Sequence, residues 1–188
     1  MNRIYGLALL GLAIALITYN IVEWQKSAQV TIESIDAGLT PEFIAESLKS
    51  KTYNKNGDLS HIIDAQRMEH YADIAITHFE FPKLTLYPEG GGVPWQVSAK
   101  EATLYANNRV RLENRVQLIA SDKNSMIQEI HGKYLELDLN TNIVSSEQTI
   151  LILGKGFTTY GSGLIVDINT TQMTLTEHVQ TIFKKIAK

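Results

Sequence analysis

An all-β antiparallel fold preceded by one N-terminal transmembrane helix is what this 188-residue sequence predicts. Three observations carry the prediction. Residues 4–22 contain no charged side chain. Downstream, apolar and polar residues alternate in short runs broken by Asn- and Gly-rich turns. A strand–turn–strand unit also recurs at a fixed interval, from Asp138 to Asp167.

The first element runs from Ile4 to Val22. At about 1.5 Å rise per residue, a helix of this length matches the hydrocarbon core of a bilayer. Only Thr18 and Asn20 are clearly polar, both near its far end, and Tyr5, Tyr19 and Trp24 sit where interfacial aromatics belong. Arg3 and the α-amino group precede the segment, while Glu23 and Lys26 follow it and nearly cancel. The positive-inside rule then puts the N-terminus in the cytoplasm and the rest of the chain on the other side. Ala13-Ile14-Ala15 offers a signal-peptidase site as the alternative. The apolar run continues past it, which favours an uncleaved anchor over residues 1–26. Gly11-x-x-x-Ala15 gives this helix a small-residue face that permits close helix packing.

The anchor explains an average that would otherwise mislead. A mean hydropathy of −0.07 combines an apolar helix with a polar remainder. Hydrophobic residues at 44% and charged residues at 20% fit a folded chain. A net charge of −3 leaves no basic footprint for nucleic acid. The absence of cysteine excludes disulfides, thiolate nucleophiles and Cys-ligated metal.

After the anchor, residues 27–52 read as a membrane-proximal segment. Within it, residues 40–48 are the best helical candidate. Thr40 suits a cap, Pro41 the first turn and Glu42 the N-terminal dipole, with Phe43, Ile44 and Leu48 on one face. The same residues also fit an extended linker. Residues 53–188 read as the β-domain. Val97, Ala99 and Glu101 alternate with Ser98, Lys100 and Ala102, and Val110 and Leu112 with Arg109, Arg111 and Glu113. Leu135, Leu137 and Leu139 alternate with Tyr134, Glu136 and Asp138, and Leu164, Val166 and Ile168 with Ile165 and Asp167. Turn signals lie at Asn56-Gly57-Asp58, Gly90-Gly91-Gly92, Asn107-Asn108, Asp122-Lys123-Asn124, Asn140-Thr141-Asn142, Gly154-Lys155-Gly156 and Gly161-Ser162-Gly163.

The repeat sharpens the architecture. Asp138-Leu139-Asn140-Thr141 matches Asp167-Ile168-Asn169-Thr170, and Asn107 takes the place of Asn140 in a weaker upstream copy. Such hairpins are too thin to bury an apolar face singly and must stack. A stack has a continuous apolar inner face and terminal strands with unpaired backbone. Residues 173–182 suit such an edge, having no Pro and only Glu177 as a charge.

Catalytic patterns are missing. His61, His70, His78, His131 and His178 make no H-E-x-x-H and no i, i+4 pair. Gly154-Lys155-Gly156 lacks the ending of a phosphate loop, and no Ser sits in G-x-S-x-G. Asp138 and Asp167 flank equivalent turns, which suits a structural role. The expectation is a non-enzyme without catalytic residues, metal or cofactor.

Assembled, these residues resemble the LptC family, the single-pass inner-membrane components of the lipopolysaccharide transport bridge of Gram-negative bacteria. Tyr53-Asn54-x-x-Gly57 is similar to the family's YNxxG start. Pro94-x-x-Val97-x-Ala99 is similar to its P-x-W-S-V-x-A strand, with Trp95 directly after Pro94 here. Gly154-x-x-Phe157 and Ser162-Gly163-Leu164 are similar to its later turn. The resemblance covers residues 53–183 with the anchor in register, and residues 27–52 match poorly. It implies a β-jellyroll, or β-taco, forming an open V-shaped groove. It implies inner-membrane location with the bulk periplasmic, and transfer of lipopolysaccharide from the LptB, LptF and LptG exporter to periplasmic LptA. It places Phe79 and Leu48 in the lipid groove, Gly154 at the exporter contact, and Met173 and Phe183 on the edge facing LptA. It also implies that the helix from Ile4 to Val22, with Gly11 and Ala15, contacts the exporter and damps its ATPase. An anchored periplasmic scaffold or chaperone without lipid is the second reading, and a membrane-anchored β-fold hydrolase the third.

Overall fold

The long strands of the chain turn a corner partway along, and the corners line up into a spine. The structure, a computed structural model, describes residues 40–122 and 124–183. The expected anchor, with Ile4, Gly11, Ala15 and Val22, lies outside the described residues, and among these no helix is long and apolar enough to cross a membrane. The chain divides near residue 41, and among the described residues every strand lies in the second unit.

Strands β1 (Phe43–Tyr53), β2 (Leu59–Tyr71), β7 (Arg109–Ala120), β8 (Ile127–Asp138), β11 (Phe157–Asp167) and β12 (Gln172–Phe183) run through the corner. Three pairs of short strands are interrupted at it: β3 (Ile76–Glu80) and β4 (Lys83–Leu86), β5 (Trp95–Ser98) and β6 (Glu101–Tyr105), β9 (Ile143–Ser146) and β10 (Ile150–Gly154). On one side of the spine the antiparallel ladder runs β1–β2–β3–β6–β7–β8–β9–β11–β12. On the other it runs β1–β2–β4–β5–β7–β8–β10–β11–β12. The result is one sheet folded along its length into two walls.

Backbone conformation makes the corner. Ser47, Phe81, Asn114, Arg115, Gly163 and His178 all have positive φ. A left-handed residue inside a strand breaks the pleat and swings the chain, as a bulge does. Hydrogen bonding continues around the spine. The Phe81 N–H donates to the Lys100 carbonyl at 2.7 Å, and the Lys100 N–H to the Asn114 carbonyl at 2.9 Å.

Three sequence expectations change here. Residues 40–48 are not helical: β1 pairs with β2 from Phe43 opposite His70 to Tyr53 opposite Leu59. One turn's worth of helix signals loses to a long non-local ladder, because a short isolated helix is marginal by itself. The sheet therefore begins at Phe43, inside the segment read as membrane-proximal. The strand expected through residues 97–102 splits at Ala99-Lys100, so that Val97 and Ala102 both face inward. Gly161-Ser162-Gly163, read as a turn, is the corner of β11 and not a chain reversal.

Elsewhere the alternation holds. Val110, Leu112, Leu135, Leu137, Leu164, Val166 and Ile168 are buried, while Arg109, Arg111 and Ile165 are exposed or half-buried outside. Residues of both walls belong to one apolar cluster, in which Leu118, Ile130 and Ile152 of the second wall join Leu112, Leu135 and Leu137 of the first. The outer face is polar. Arg67 bonds Glu69 at 2.6 Å and approaches Glu46 and Glu80 on the flanking strands. The Tyr71 hydroxyl and Arg67 hold the Glu69 carboxyl below the usual range.

The repeat has a physical basis. Asp138 Oδ1 accepts the Asn140 N–H, and Asp167 Oδ1 accepts the Asn169 N–H, both at 2.9 Å. These are Asx turns, which explains the two aspartates. Successive turns are also tied together. Asn108 Nδ2 donates to Asn140 Oδ1, and Asn142 Nδ2 donates to Asn169 Oδ1. The Leu139 and Ile168 N–H groups donate to the Asn108 and Asn142 carbonyls. By these bonds Asn108 corresponds to Asn142.

Asn169 also reaches across the groove's rim. Its Oδ1 accepts the Glu89 N–H at 3.0 Å from the β4–β5 loop. Asn142, 5% exposed, has an unpartnered Oδ1, and without the Asn169 side chain its Nδ2 would keep only the long bond to the Tyr87 carbonyl at 3.5 Å. Asn169→Ala is expected to cost about 1–3 kcal/mol, the range for stripping partners from buried polar groups. Hydrogen exchange at the Glu89 amide should quicken; an unchanged rate there would show that the cross-rim bond is not formed in solution.

Candidate binding groove

The groove between the walls differs along its length. In the middle it is packed shut: Leu112, Leu118, Ile130, Leu135, Leu137 and Ile152 are fully buried. At the β1–β3 end a cavity of about 460 Å³ opens between the walls. This is the size range of small-ligand sites, about 300–1,000 Å³.

Strand geometry sets its lining. Side chains alternate across a strand, so every second residue faces the groove. In β2 these are Ala65, Ile63 and His61 on one side of the corner and Met68 on the other. β1 supplies Leu48, Ser50 and Thr52, and β3 supplies Phe79 and Thr77. Phe79, 5% exposed, packs into the core with its neighbours and also forms part of the cavity wall. Leu48 lies on the facing part of the same cavity, which brings together the two residues assigned to the groove.

Sequence reasoning missed Ser60, His61, Met68 and Thr77. The signal was present: His61, Ile63 and Ala65 alternate with Ser60, Ile62 and Asp64, the pattern of a half-buried strand. His61 is 9% exposed, and burial pushes its imidazole below the ordinary value. Its Nδ1 lies 3.3 Å from the Ser60 hydroxyl. His70 Nδ1 lies 2.9 Å from the Thr77 hydroxyl, and His131 Nε2 lies 2.8 Å from Glu129. Among the described residues no group of three or more His, Asp or Glu is placed to hold a metal.

The remaining predicted residues stand apart from the cavity. Gly154 closes β10 and pairs with Phe157 across the hairpin. Met173 lies on β12 opposite Val166, half-buried against the core. Phe183 ends β12 and is 78% exposed. β12 pairs only with β11 and β1 only with β2 among the described residues, so each end of the folded sheet presents a strand with one free edge.

Fold and site define a class: a folded-over antiparallel sheet with an apolar interior and an edge strand at either end. A family model described as "Lipopolysaccharide-assembly, LptC-related" matches residues 10–184, and the chain belongs to this LptC family. The lipopolysaccharide export system protein LptC of Escherichia coli strain K12 is 27% identical over 183 residues, 97% of this chain and 94% of the relative. LptC of Haemophilus influenzae is 23% identical over 162 residues, 77% of this chain and 78% of its own length. Among solved structures, LptH from Pseudomonas aeruginosa aligns with a TM-score of 0.52 at 10% identity. That alignment covers 66% of this chain and 95% of LptH, described as the LptA-homologous periplasmic component of the lipopolysaccharide transport device. The likeness is one of fold.

Proposed function

We propose that this chain is the inner-membrane-anchored component of the lipopolysaccharide transport bridge. It accepts lipopolysaccharide from the LptB, LptF and LptG exporter and passes it to periplasmic LptA. The observation that carries this reading is the cavity shared by Phe79 and Leu48, which lies beside the free edge of β1. Family membership and the LptH-like fold support it.

The chemistry required is shielding. Each CH₂ group kept from water is worth about 0.8 kcal/mol, so several acyl chains crossing an aqueous space meet a steep barrier. A groove removes that barrier while sugars and phosphates stay hydrated outside. No bond is made or broken by this chain in the scheme, and direction comes from ATP hydrolysis in the exporter. Gly154 serves the exporter contact, and Met173 and Phe183 the LptA-facing edge. The segment from Ile4 to Val22, with Gly11-x-x-x-Ala15, anchors the chain and packs against exporter helices.

A photo-crosslinking residue at Phe79 is expected to capture lipopolysaccharide in energised membranes, and one at Ile165, exposed on the outer face, is not. Failure at Phe79 would overturn the groove assignment. The packed middle of the groove favours the second reading, an anchored scaffold without lipid, and the same experiment separates the two.

A further inference from the structure

The loop between β4 and β5 belongs to one wall and is bonded to the other. It reads Pro88-Glu89-Gly90-Gly91-Gly92-Val93-Pro94. Its base is fixed to the second wall: the Tyr87 N–H donates to the Ser60 carbonyl at 2.9 Å, and the Ser121 N–H to the Pro94 carbonyl at 3.2 Å. Further bonds cross the mouth of the groove to turns of the first wall. The Glu89 N–H donates to Asn169 Oδ1 at 3.0 Å, and Asn142 Nδ2 reaches the Tyr87 carbonyl at 3.5 Å. The same Nδ2 donates to Asn169 Oδ1 at 3.1 Å, so the two asparagines form one latch. The crossing is oblique. In the second wall β4 and β5 lie on the β1 side of β7, whereas the β8–β9 and β11–β12 turns of the first wall lie toward β12. A path along the mouth from the β1 end to the β12 end therefore meets this loop.

Three features suit a part that swings. A proline at either end stiffens the arms, while the glycines between them absorb changes in φ and ψ. Gly90 and Gly91 hold φ of +82° and +83°, and a Cβ built on either meets nothing within 4 Å, so the tip has open space beside it. On one flank lies a cavity of about 530 Å³, between residues 87–92 and the β1–β2 turn at Asn54 and Asp58, which gives the loop somewhere to go. The closed latch also carries a cost. Asn142 is 5% exposed, and its Oδ1 is buried without a partner. An unpaired buried acceptor raises the energy of the closed state. Release, which lets water reach Asn142, offsets part of the bonds it breaks.

We propose that the β4–β5 loop is a strap that bars the mouth of the groove, latched by Asn142 and Asn169, and that it swings toward the β1–β2 turn to let cargo pass. This rests on the lipid-groove reading and adds a gate to it. A lipid whose chains lie between the walls keeps its polar head outside, so the link between head and chains must travel along the mouth. A strap tied to both walls stops that link. The cavity of Phe79 and Leu48 lies on the β1 side of the strap, so loading is free and onward movement is not. The gate therefore acts after entry and before release at β12.

The test locks the strap. The chain has no cysteine, so Glu89→Cys with Thr170→Cys, exposed positions on the two sides of the latch, supplies a unique thiol pair. Glu89→Cys keeps the backbone N–H that Asn169 accepts. The purified full chain is bridged with dithiobismaleimidoethane, which a reductant cleaves, and reconstituted in membranes with the exporter and lipopolysaccharide. A photo-crosslinking residue stands at Phe79 in one sample and at Thr181 in another. Thr181 faces inward on β12, its hydroxyl 2.9 Å from that of buried Thr159. Bridging is expected to leave capture at Phe79 intact and to cut capture at Thr181 to the background of the outer-face position Ile165. The reductant should restore it, and the same pair capped with N-ethylmaleimide should behave as unbridged. Unchanged capture at Thr181 in the bridged chain overturns the gate and leaves the lipid groove standing. Loss at both positions alike, or a loss at Thr181 that the reductant does not reverse, also overturns it, because the groove is then deformed and not barred. Capture at Phe79 with none at Thr181 in the unbridged chain overturns it too. No capture at Phe79 in the unbridged chain overturns the gate and the lipid-groove reading together.

Discussion

Leu118→Ala is expected to destabilise the folded domain by about 2–5 kcal/mol, the range for truncating a fully buried leucine. Leu118 is 0% exposed on the second wall, between Val97 of β5 and Ile130 of β8. It belongs to the cluster that joins the two walls. A loss of this size is a large share of the roughly 5–15 kcal/mol that holds an ordinary domain together. It should appear as a fall in urea midpoint with little change in slope. The same measurement reports on the groove. If the walls stood apart in solution, Leu118 would already be partly wet and its truncation would cost under about 2 kcal/mol. A full loss means that the middle of the groove is closed at rest. Acyl chains moving along it must then displace wall-to-wall contacts, and the proposed transport needs a chain whose walls separate on loading.

Much of this was legible from the residues, and the misses share one cause. Alternation in β7, β8 and β11 located the inner face, and the Asp-Leu/Ile-Asn-Thr repeat located the turns that stack. The edge position of β12 followed from a charge-poor, proline-free segment. What was not legible was the corner. At Asn114-Arg115 the chain takes two left-handed residues in a row, and at Ser47, Phe81 and His178 one each. Most of these residue types do not advertise positive φ, because the requirement is imposed by the neighbouring rungs and not by local preference. Missing the corner turned Ala99-Lys100 into mid-strand and Gly161–Gly163 into a reversal. It also hid β1, whose pairing depends on a partner strand in sequence beyond it. For the site, Phe79 and Leu48 came from family resemblance. His61 and Ser60 required the fold, since an alternating strand does not say which wall it faces or what stands opposite.

Substituting Gly154 is expected to distort the β10–β11 hairpin before it touches any partner. Gly154 lies directly opposite Phe157, and a Cβ built on it falls within the Phe157 ring. Its backbone is not left-handed; Gly156, two residues on, carries the positive φ of the turn. The demand at 154 is therefore for space. Phe157 is half-buried and packs against the core, so turning its ring away from a Cβ at 154 gives up part of that contact. Gly154→Ala should cost about 1–3 kcal/mol as overpacking, and Gly154→Arg at least as much. Exporter co-purification should weaken in both, but this alone does not separate a lost contact from a deformed hairpin. A double-mutant cycle does. With Phe157→Ala in place, the clash is gone and Gly154→Ala should become close to neutral in stability. Gly156→Ala, whose cost is backbone strain with open space around its Cβ, should not be rescued by the same change. If exporter association returns in the Gly154→Ala, Phe157→Ala pair, the glycine acts by letting the aromatic ring lie flat on the hairpin. If stability returns and association does not, the surface around 154 is itself the contact.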